Sequence, residues 1–288
     1  MSMGAEKKLS ADSSRIDALP ETQQAKSIGA ILDAKTSKPV ADHGKPIYYF
    51  ESKRALVCLL FLLPLMVWYE FGKFVLPWLS DGAQLNPGLV EGWLMALVGQ
   101  AGFALAGMVP VLMTGILLML HHRRKRDAPI RPTVFFSMAI EIIGISLLLF
   151  LFGDAMLLFA EGQQPRPLVH LFDFFRTPQW HAVLLESLGA GLQEELIFRL
   201  ILFNFASIWL AKTIGDELVA VTMVAIFVSV LFAAAHCDFV NPDASPFRAS
   251  TFLFRFFASL VLCVLFRFRG FAIAVGVHFG FDLLATAG

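Results

Sequence analysis

Long apolar runs alternate with short polar segments along most of the chain. A run needs about 20 apolar residues to cross the roughly 30 Å hydrocarbon core of a bilayer as an α-helix. Seven runs meet or approach that length: residues 55–79, 93–120, 134–160, 181–211, 218–237, 250–266 and 270–287. The pattern therefore predicts an all-α fold, a polytopic membrane helix bundle with about seven transmembrane helices.

Composition supports a membrane protein. Hydrophobic residues make up 57% and charged residues 16% of the chain, and the mean hydropathy is +0.69. Soluble domains average about 45–50% apolar and about 25% charged residues. Residues 1–50 are polar instead, with mixed charge and little periodicity, and are predicted to form a mostly disordered tail. Residues 51–180 are then N-terminal transmembrane helices with an interfacial segment, and residues 181–288 form a candidate catalytic core.

Basic residues flank the apolar runs unevenly. Those that would share one side of the bundle are Lys53, Arg54, the basic residues of segment 121–131, Lys212, Arg267 and Arg269. Because cytoplasmic loops carry the excess of Lys and Arg, this pattern predicts an integral, multi-pass protein with a cytoplasmic N-terminus. The basic segment 121–131 indicates contact with anionic membrane lipid and not with nucleic acid.

One stretch, "GLQEELIFRL" at residues 191–200, carries three charges inside an apolar run. An ionised side chain at the centre of a bilayer costs about 2.5–3.5 kcal/mol, so such residues usually face a partner or a cavity. Glu195 and Arg199 are four residues apart and can pair on one helix face. Glu194 is rotated by about 100° and has no partner on its own helix. A partner for Glu194 is therefore expected on another helix.

Two other runs offer polar groups for Glu194. "LFAAAHC" ends the fifth run with His236, and "GVHFGFD" in the last run carries His278 and Asp282 four residues apart. Small residues around them, Gly276 and Gly280 among them, would let the helices approach closely. Two carboxylates and two imidazoles can bind a divalent metal or activate a water directly.

Three motifs together carry a family resemblance. "EELIFR", "FAAAH" and "HFGFD" are similar in order and spacing to the EExxxR, FxxxH and HxxxN/D motifs of the CPBP family. That family comprises intramembrane proteases related to the type II CAAX prenyl endopeptidases. The resemblance covers residues 194–282 and implies an intramembrane endopeptidase that cleaves a membrane-associated protein or peptide.

The resemblance also implies roles for single residues. Glu194 and His236 would activate the attacking water, and Glu195 and Arg199 would form a supporting pair. His278 and Asp282 would stabilise the oxyanion or help to bind a metal. The cofactor is either a divalent metal such as zinc, held by Glu194, His236, His278 and Asp282, or none. The last motif position is Asn in many family members, and an ionised Asp282 cannot donate a hydrogen bond as an amide does. Asp282 is therefore protonated, orients His278, or binds a metal.

Helix depth leads to a further prediction. A helix that began at residue 181 would bury Glu194 about 20 Å from the surface where the fifth run ends with His236. An interruption at "GAG", residues 189–191, would bring the two residues to the same depth. Residues 166–187 would then form an interfacial or re-entrant helix over the site. If the N-terminus is cytoplasmic, the site opens toward the extracytoplasmic side of the membrane. A CAAX endopeptidase, in contrast, needs a site that prenylated proteins can reach from the cytosol.

Other interpretations of the polar residues stay open. Glu141 and Glu186 are interpreted as satisfied polar groups, Arg255 as a side chain that snorkels to the interface, and Phe232 as packing under the site. A catalytically silent scaffold or immunity-type membrane protein would also carry these helices. Intramembrane carboxylates are equally typical of an ion-coupled carrier, but the inverted repeat of many carriers is absent from the sequence. The sequence gives no oligomeric state.

Overall fold

Helices make up nearly all of the computed structural model. It describes residues 47–79, 85–86, 88–124, 129–162, 174–177, 180–237 and 247–287, and no strand occurs among them. The predicted tail up to residue 46, residues 125–128 of the basic segment 121–131, and residues 166–173 and 178–179 of the predicted interfacial segment lie outside the described residues. The predicted all-α, polytopic membrane bundle is confirmed. The cytoplasmic location of the N-terminus stays a prediction.

The helices follow one another through short connections. They are α1 Ile47–Glu51, α2 Ala55–Leu79, α3 Leu89–Val98, α4 Ala101–Ala106, α5 Val109–Arg124, α6 Thr133–Glu161, α7 Trp180–Glu195, a π-helical segment Leu196–Phe203, α8 Asn204–Ile214, α9 Glu217–Ala235, α10 Ala249–Phe268 and α11 Phe271–Ala287. Five stretches of the described chain are long and apolar enough to cross a membrane: α2, α6, the continuous run from α7 to α8, α9 and α10. Helix α11 is apolar but shorter.

The second predicted crossing, residues 93–120, is not a single helix. Its residues belong to α3, α4 and α5. Helix α3 ends at Gly99, whose φ of 65° lies in the left-handed region that favours glycine. A Cβ atom on Gly102 would lie 2.3 Å from the backbone carbonyl carbon of Leu94, so α3 and α4 form a tight hairpin. Apolar composition alone does not distinguish such a hairpin from one long crossing.

The predicted interruption at residues 189–191 is wrong. Helix α7 runs unbroken through its glycines and continues as the π-helical segment and α8. A Cβ atom on Gly189 would lie 2.7 Å from the ring of Tyr69, and one on Gly191 would lie 3.1 Å from the backbone of Phe279. These glycines let α7 pack closely against α2 and α11 and do not break the helix.

The length of this run explains how Glu194 reaches the depth of His236 without a break. The run Trp180–Ile214 has 35 residues, about 52 Å at the rise of an α-helix, which exceeds the hydrocarbon core. The part from Glu194 to Ile214 would already span about 30 Å. The residues before Glu194 extend past the end of α9 and pack on α2 and α11.

Helix α11 lies at the centre of the bundle. From Phe271 to Val277 every residue is buried, and the helix packs against α6, α7, α10 and α2. The expected close approach at its glycines is confirmed, since a Cβ atom on Gly276 would meet Ile142 and one on Gly280 would meet Ser146 of α6. Residues 46–288 form one compact unit, in which helices from residues 51–180 pack directly on helices from residues 181–288.

Candidate active site

The six residues predicted to form the site come together in the structure. Glu194 and Glu195 end helix α7, and Arg199 lies in the π-helical segment. His236 follows the last residue of α9, and His278 and Asp282 lie one turn apart on α11. Each of the six side chains lies within 4.0 Å of another member of the set. Three segments distant in sequence thus form one polar cluster.

Glu194 faces two imidazole rings. Its Oε2 atom lies 3.4 Å from His236 Nε2 and 3.8 Å from His278 Nε2, yet this buried oxygen makes no well-aligned hydrogen bond with any residue that the structure describes. The other ring nitrogen of His236, Nδ1, lies 2.7 Å from the carbonyl oxygen of Phe232. Because a carbonyl only accepts, Nδ1 carries the proton, and in a neutral ring Nε2 is an acceptor. Two acceptors, Glu194 Oε2 and His236 Nε2, thus lie 3.4 Å apart at the edge of the cavity, where one donor from the cavity side can contact both.

His278 is surrounded by carboxylates. Its Nδ1 atom lies 2.8 Å from Glu195 Oε1, and its Nε2 atom lies 3.3 Å from Asp282 Oδ2. The Glu194 carboxylate is also close to Nε2. Carboxylates accept hydrogen bonds, so this arrangement suits an imidazolium that donates from both nitrogens. The rings of His278 and His236 therefore differ in their partners, since both nitrogens of His278 face carboxylates whereas Nδ1 of His236 faces a carbonyl.

Arg199 and Glu195 form a fully buried ion pair. Arg199 Nη1 lies 2.7 Å from Glu195 Oε1, and both side chains have 0% exposure. Arg199 Nη2 also donates to the hydroxyl of Ser259 at 2.9 Å, and the guanidinium stacks on the ring of Phe232, 4.5 Å from its centroid. Sequence reasoning missed Ser259, because a serine in an apolar helix gives no signal of a partner that is remote in sequence.

A cavity of about 430 Å³ opens beside the cluster. Its polar lining is Glu194, His236, Thr251, Arg255, His278 and Asp282. Its apolar lining includes Leu149, Leu157, Phe254, Leu262 and Phe281. Arg255 does not snorkel away from the bundle: its Nη1 atom donates to the backbone carbonyl of His236 at 3.0 Å, and the side chain lines the cavity. Phe232 packs between His236 and His278, as predicted.

The donor atoms do not form a recognisable metal site. No group of three or more His, Cys, Asp or Glu side chains within the described segments has the arrangement of a metal centre. Nδ1 of His278 faces Glu195 and its Nε2 faces Glu194 and Asp282, so His278 would bind a metal only through Nε2 in its unprotonated form. A divalent metal at Glu194, His236, His278 and Asp282 stays a prediction from the sequence, and no step below depends on one.

A second polar cluster lies next to the site and was not anticipated. The carboxylate of Glu91 accepts hydrogen bonds from Tyr69 at 3.1 Å and from Gln193 at 3.0 Å. These three residues line a cavity of about 290 Å³ that shares Asp282 and Ala285 with the first. The signal in the sequence is Gln193, an amide directly before the two glutamates. The cluster fixes α7 beside the site.

The interpretation of Glu141 and Glu186 as satisfied polar groups is confirmed. Glu141 accepts from Tyr48 at 2.5 Å and pairs with both Nε and Nη2 of Arg269. Glu186 accepts from the backbone and side-chain nitrogens of Asn86 at 2.8 and 2.9 Å. Neither glutamate lines the cavity beside Glu194.

Comparison with known families supports the resemblance drawn from the motifs. Residues 176–284 match the family model described as type II CAAX prenyl endopeptidase Rce1-like. The match includes all six residues of the cluster, confirms the resemblance and supports a membrane protease. Helices α1 to α6 lie outside it. No curated protein and no solved structure matches the chain significantly.

Proposed function

We propose that this chain is an intramembrane endopeptidase that hydrolyses a peptide bond of a membrane-associated protein or peptide with a water activated by Glu194 and His236. The observation that carries the proposal is the buried Glu194 oxygen, which faces His236 Nε2 at 3.4 Å beside the cavity and makes no well-aligned hydrogen bond within the described part of the chain. A water that donates one hydrogen to each acceptor satisfies both groups. Such a water is held next to the space where substrate would lie.

The first chemical step is attack by this water. Its oxygen forms a bond with the scissile carbonyl carbon while Glu194 takes one of its protons as general base. His236 accepts the second hydrogen in a hydrogen bond and so orients the water oxygen. The Phe232 carbonyl keeps Nδ1 of His236 protonated and Nε2 free to accept. The product of this step is a tetrahedral intermediate with a negative oxygen.

The second step needs a donor for that oxygen. His278 in its imidazolium form presents Nε2–H toward the same space as Glu194, and preorganised donors of this kind stabilise an oxyanion. Protonated Glu194 then gives its proton to the amide nitrogen as the C–N bond breaks. A carboxylic acid and an amine leave, and the Glu194 carboxylate is restored.

Three residues position the reacting groups. Glu195 orients His278 through Nδ1 and is itself held by Arg199. Asp282, 3.3 Å from Nε2, stabilises the charge on His278. An acid at the last motif position thus has a role without acting as a hydrogen-bond donor. Of the three roles that the sequence leaves open for Asp282, the orienting one has support from this contact.

The cavity wall supports an apolar class of substrate. Leucine and phenylalanine side chains form its apolar part, which suits an apolar segment or a lipidated residue next to the scissile bond. Both an unmodified and a prenylated peptide are therefore suitable substrates for an assay. A cleavage rate that differs between the two peptides assigns the preference.

The test is cleavage by the purified full chain in detergent, with a library of membrane-protein peptides. Wild type is compared with Glu194→Gln and His236→Ala, each with and without a chelator. We expect activity to fall by about 10²–10⁴-fold in Glu194→Gln, the range of general base catalysis. Glu186→Gln, a change on the same helix but outside this cavity, should keep wild-type activity.

Three results would contradict the proposal or a part of it. Equal activity of Glu194→Gln and wild type, with both proteins folded, would exclude Glu194 as the base. Loss of wild-type activity with chelator, restored by zinc, would replace the metal-free mechanism with the metal-dependent one that the sequence leaves open. A folded wild type that cleaves nothing in the library would favour the silent scaffold or the carrier.

A further inference from the structure

A cavity of about 610 Å³ lies at the opposite end of the bundle from Glu194. It is bounded by the start of α2, α9 and α11 and by the last turns of α5, α8 and α10. From Glu194 to Ser207, which lines this cavity, the continuous helix advances about 20 Å. The cavity is therefore separate from the candidate active site and has no part in the proposed hydrolysis.

The lining of this cavity is amphipathic. Its apolar part includes Leu117, Leu120, Leu200, Phe203, Val221 and Phe266. Its charged groups are three cations, Lys53, Lys212 and Arg267, and one carboxylate, Glu217. Arg267 pairs with Glu217, but both side chains are well exposed, at 44% and 70%, and such pairs are weak. Positive charge thus predominates beside an apolar space.

A buried polar group adds a second, independent observation. Ser207 is 8% exposed and lines the cavity, and its hydroxyl has no hydrogen-bond partner in the described part of the chain. An unsatisfied buried hydroxyl costs about 1–3 kcal/mol. A serine in an apolar helix commonly donates to a carbonyl of the preceding turn. Ser207 instead leaves its hydroxyl available to a ligand with an acceptor oxygen.

We infer that this cavity binds an anionic phospholipid. The phosphate would lie against Lys53, Lys212 and Arg267, and an acyl chain would occupy the apolar part. The Ser207 hydroxyl would donate to a lipid oxygen. Basic pockets between transmembrane helices near the membrane surface recognise anionic headgroups in this way. A soluble phosphate would leave the apolar walls without an occupant, so charge and hydrophobicity together favour a lipid.

The experiment is a titration of the full chain in detergent, followed by native mass spectrometry. The probes are phosphatidylglycerol, phosphatidylcholine with the same chains, and glycerol phosphate without chains. Wild type should bind phosphatidylglycerol at least tenfold more tightly than phosphatidylcholine. Each basic residue adds about fivefold for a lipid with a net negative charge, and the choline cation of phosphatidylcholine cancels the charge of its phosphate. Lys212→Gln with Arg267→Gln should reduce that preference to threefold or less. Ser207→Ala should weaken phosphatidylglycerol binding with little effect on folding.

A matched control comes from the other end of α10. Arg248 pairs with Glu161 at 3.2 Å and is also exposed, but it does not line the cavity. Arg248→Gln should keep the full preference for phosphatidylglycerol. Equal loss in the control and the double variant would overturn the site, as would equal binding of the two lipids by wild type. Tight binding of glycerol phosphate would assign the cavity to a soluble phosphate instead of a lipid.

Discussion

Glu195 and His278 are joined by a buried hydrogen bond of 2.8 Å between Oε1 and Nδ1. The two residues are 83 positions apart in sequence, and the bond links the end of α7 to the middle of α11. The same Oε1 atom contacts Arg199. The orientation of His278, and with it the donor to the oxyanion, therefore depends on a residue that does not face the cavity.

Removal of Arg199 should destabilise the protein strongly. In Arg199→Gln the Glu195 carboxylate stays buried without its cation, and breaking a buried pair in this way costs about 3–5 kcal/mol. Thermal unfolding in detergent, followed by circular dichroism, measures the loss. Arg248→Gln, which breaks an exposed ion pair, should lower the free energy of unfolding by about 1 kcal/mol or less. Equal shifts in the two variants would mean that the buried pair contributes no more than a surface pair.

Gly191→Ala should impair catalysis through the spacing of two helices. A Cβ atom at this position would lie 3.1 Å from the backbone of both Val275 and Phe279, which cannot move aside as a side chain can. Helix α7 would shift away from α11, and the glutamates on α7 would move relative to His278. A misplacement of about 1 Å can cost about 10²-fold in rate. The measurement is kcat for peptide cleavage.

A second glycine gives the control for this prediction. A Cβ atom on Gly144 of α6 would meet nothing within 4 Å. Gly144→Ala should therefore keep kcat and raise stability by up to about 1 kcal/mol through lower backbone entropy of the unfolded chain. If both alanine variants keep wild-type kcat, close packing at Gly191 is not required for catalysis.

Tyr48 should make stability depend on pH in the alkaline range. Burial, followed by the Glu141 carboxylate to which its hydroxyl donates, raises the pKa of Tyr48 above its ordinary value of 10.0. A group with a raised folded-state pKa contributes stability that is fully present below the unfolded pKa and is lost as the pH rises through the folded one. Below pH 10 the free energy of unfolding of wild type should exceed that of Tyr48→Phe by about 1–3 kcal/mol.

The measurement is the Tm of both proteins between pH 8 and pH 11. The difference between them should be constant up to about pH 9 and shrink above pH 10, since ionised tyrosine is the less favourable form next to Glu141. A difference that stays constant over the whole range would contradict the role of the Tyr48 proton.

The sequence contained enough to place the six residues of the cluster together. A charged or imidazole side chain in an apolar helix costs free energy, so each one indicates a polar partner. The chain carries three motifs of such side chains on three helices, and few packings of those helices give every one of these side chains a partner. The identity of Arg199 as the partner of Glu195 follows from a four-residue spacing on one helix. The spacing of residues on one helix and the free-energy cost of a charge in an apolar run depend only on the local sequence, so both can be predicted without a structure.

The partners that the sequence did not reveal are remote and weakly polar. Ser259 and Tyr69 support the site, but a hydroxyl in an apolar run is common and indicates no particular partner. The predicted interruption at residues 189–191 was wrong for a related reason. Glycine permits both a helix break and close packing, and the residues that decide between them at Gly189, above all Tyr69, are far away in sequence.

Asp282→Asn separates the roles that an acid can have at the last motif position. In wild type the carboxylate of Asp282 stabilises the protonated form of His278 from 3.3 Å. An amide carries no charge, so in the variant His278 should release its proton at lower pH. The high-pH limb of kcat/KM should then move to lower pH by about one to two units, the usual effect of one opposite charge at this distance.

The rate at the new optimum distinguishes the remaining possibilities. An amide can itself donate a hydrogen bond to an oxyanion. At the pH optimum of the variant, kcat/KM of Asp282→Asn should therefore stay within about tenfold of the wild-type value, since one preorganised donor replaces another. Glu186→Gln should leave the pH profile unchanged. A profile that does not move in Asp282→Asn would show that Asp282 does not hold the His278 proton. Complete loss of activity, together with chelator sensitivity of wild type, would make Asp282 a metal ligand.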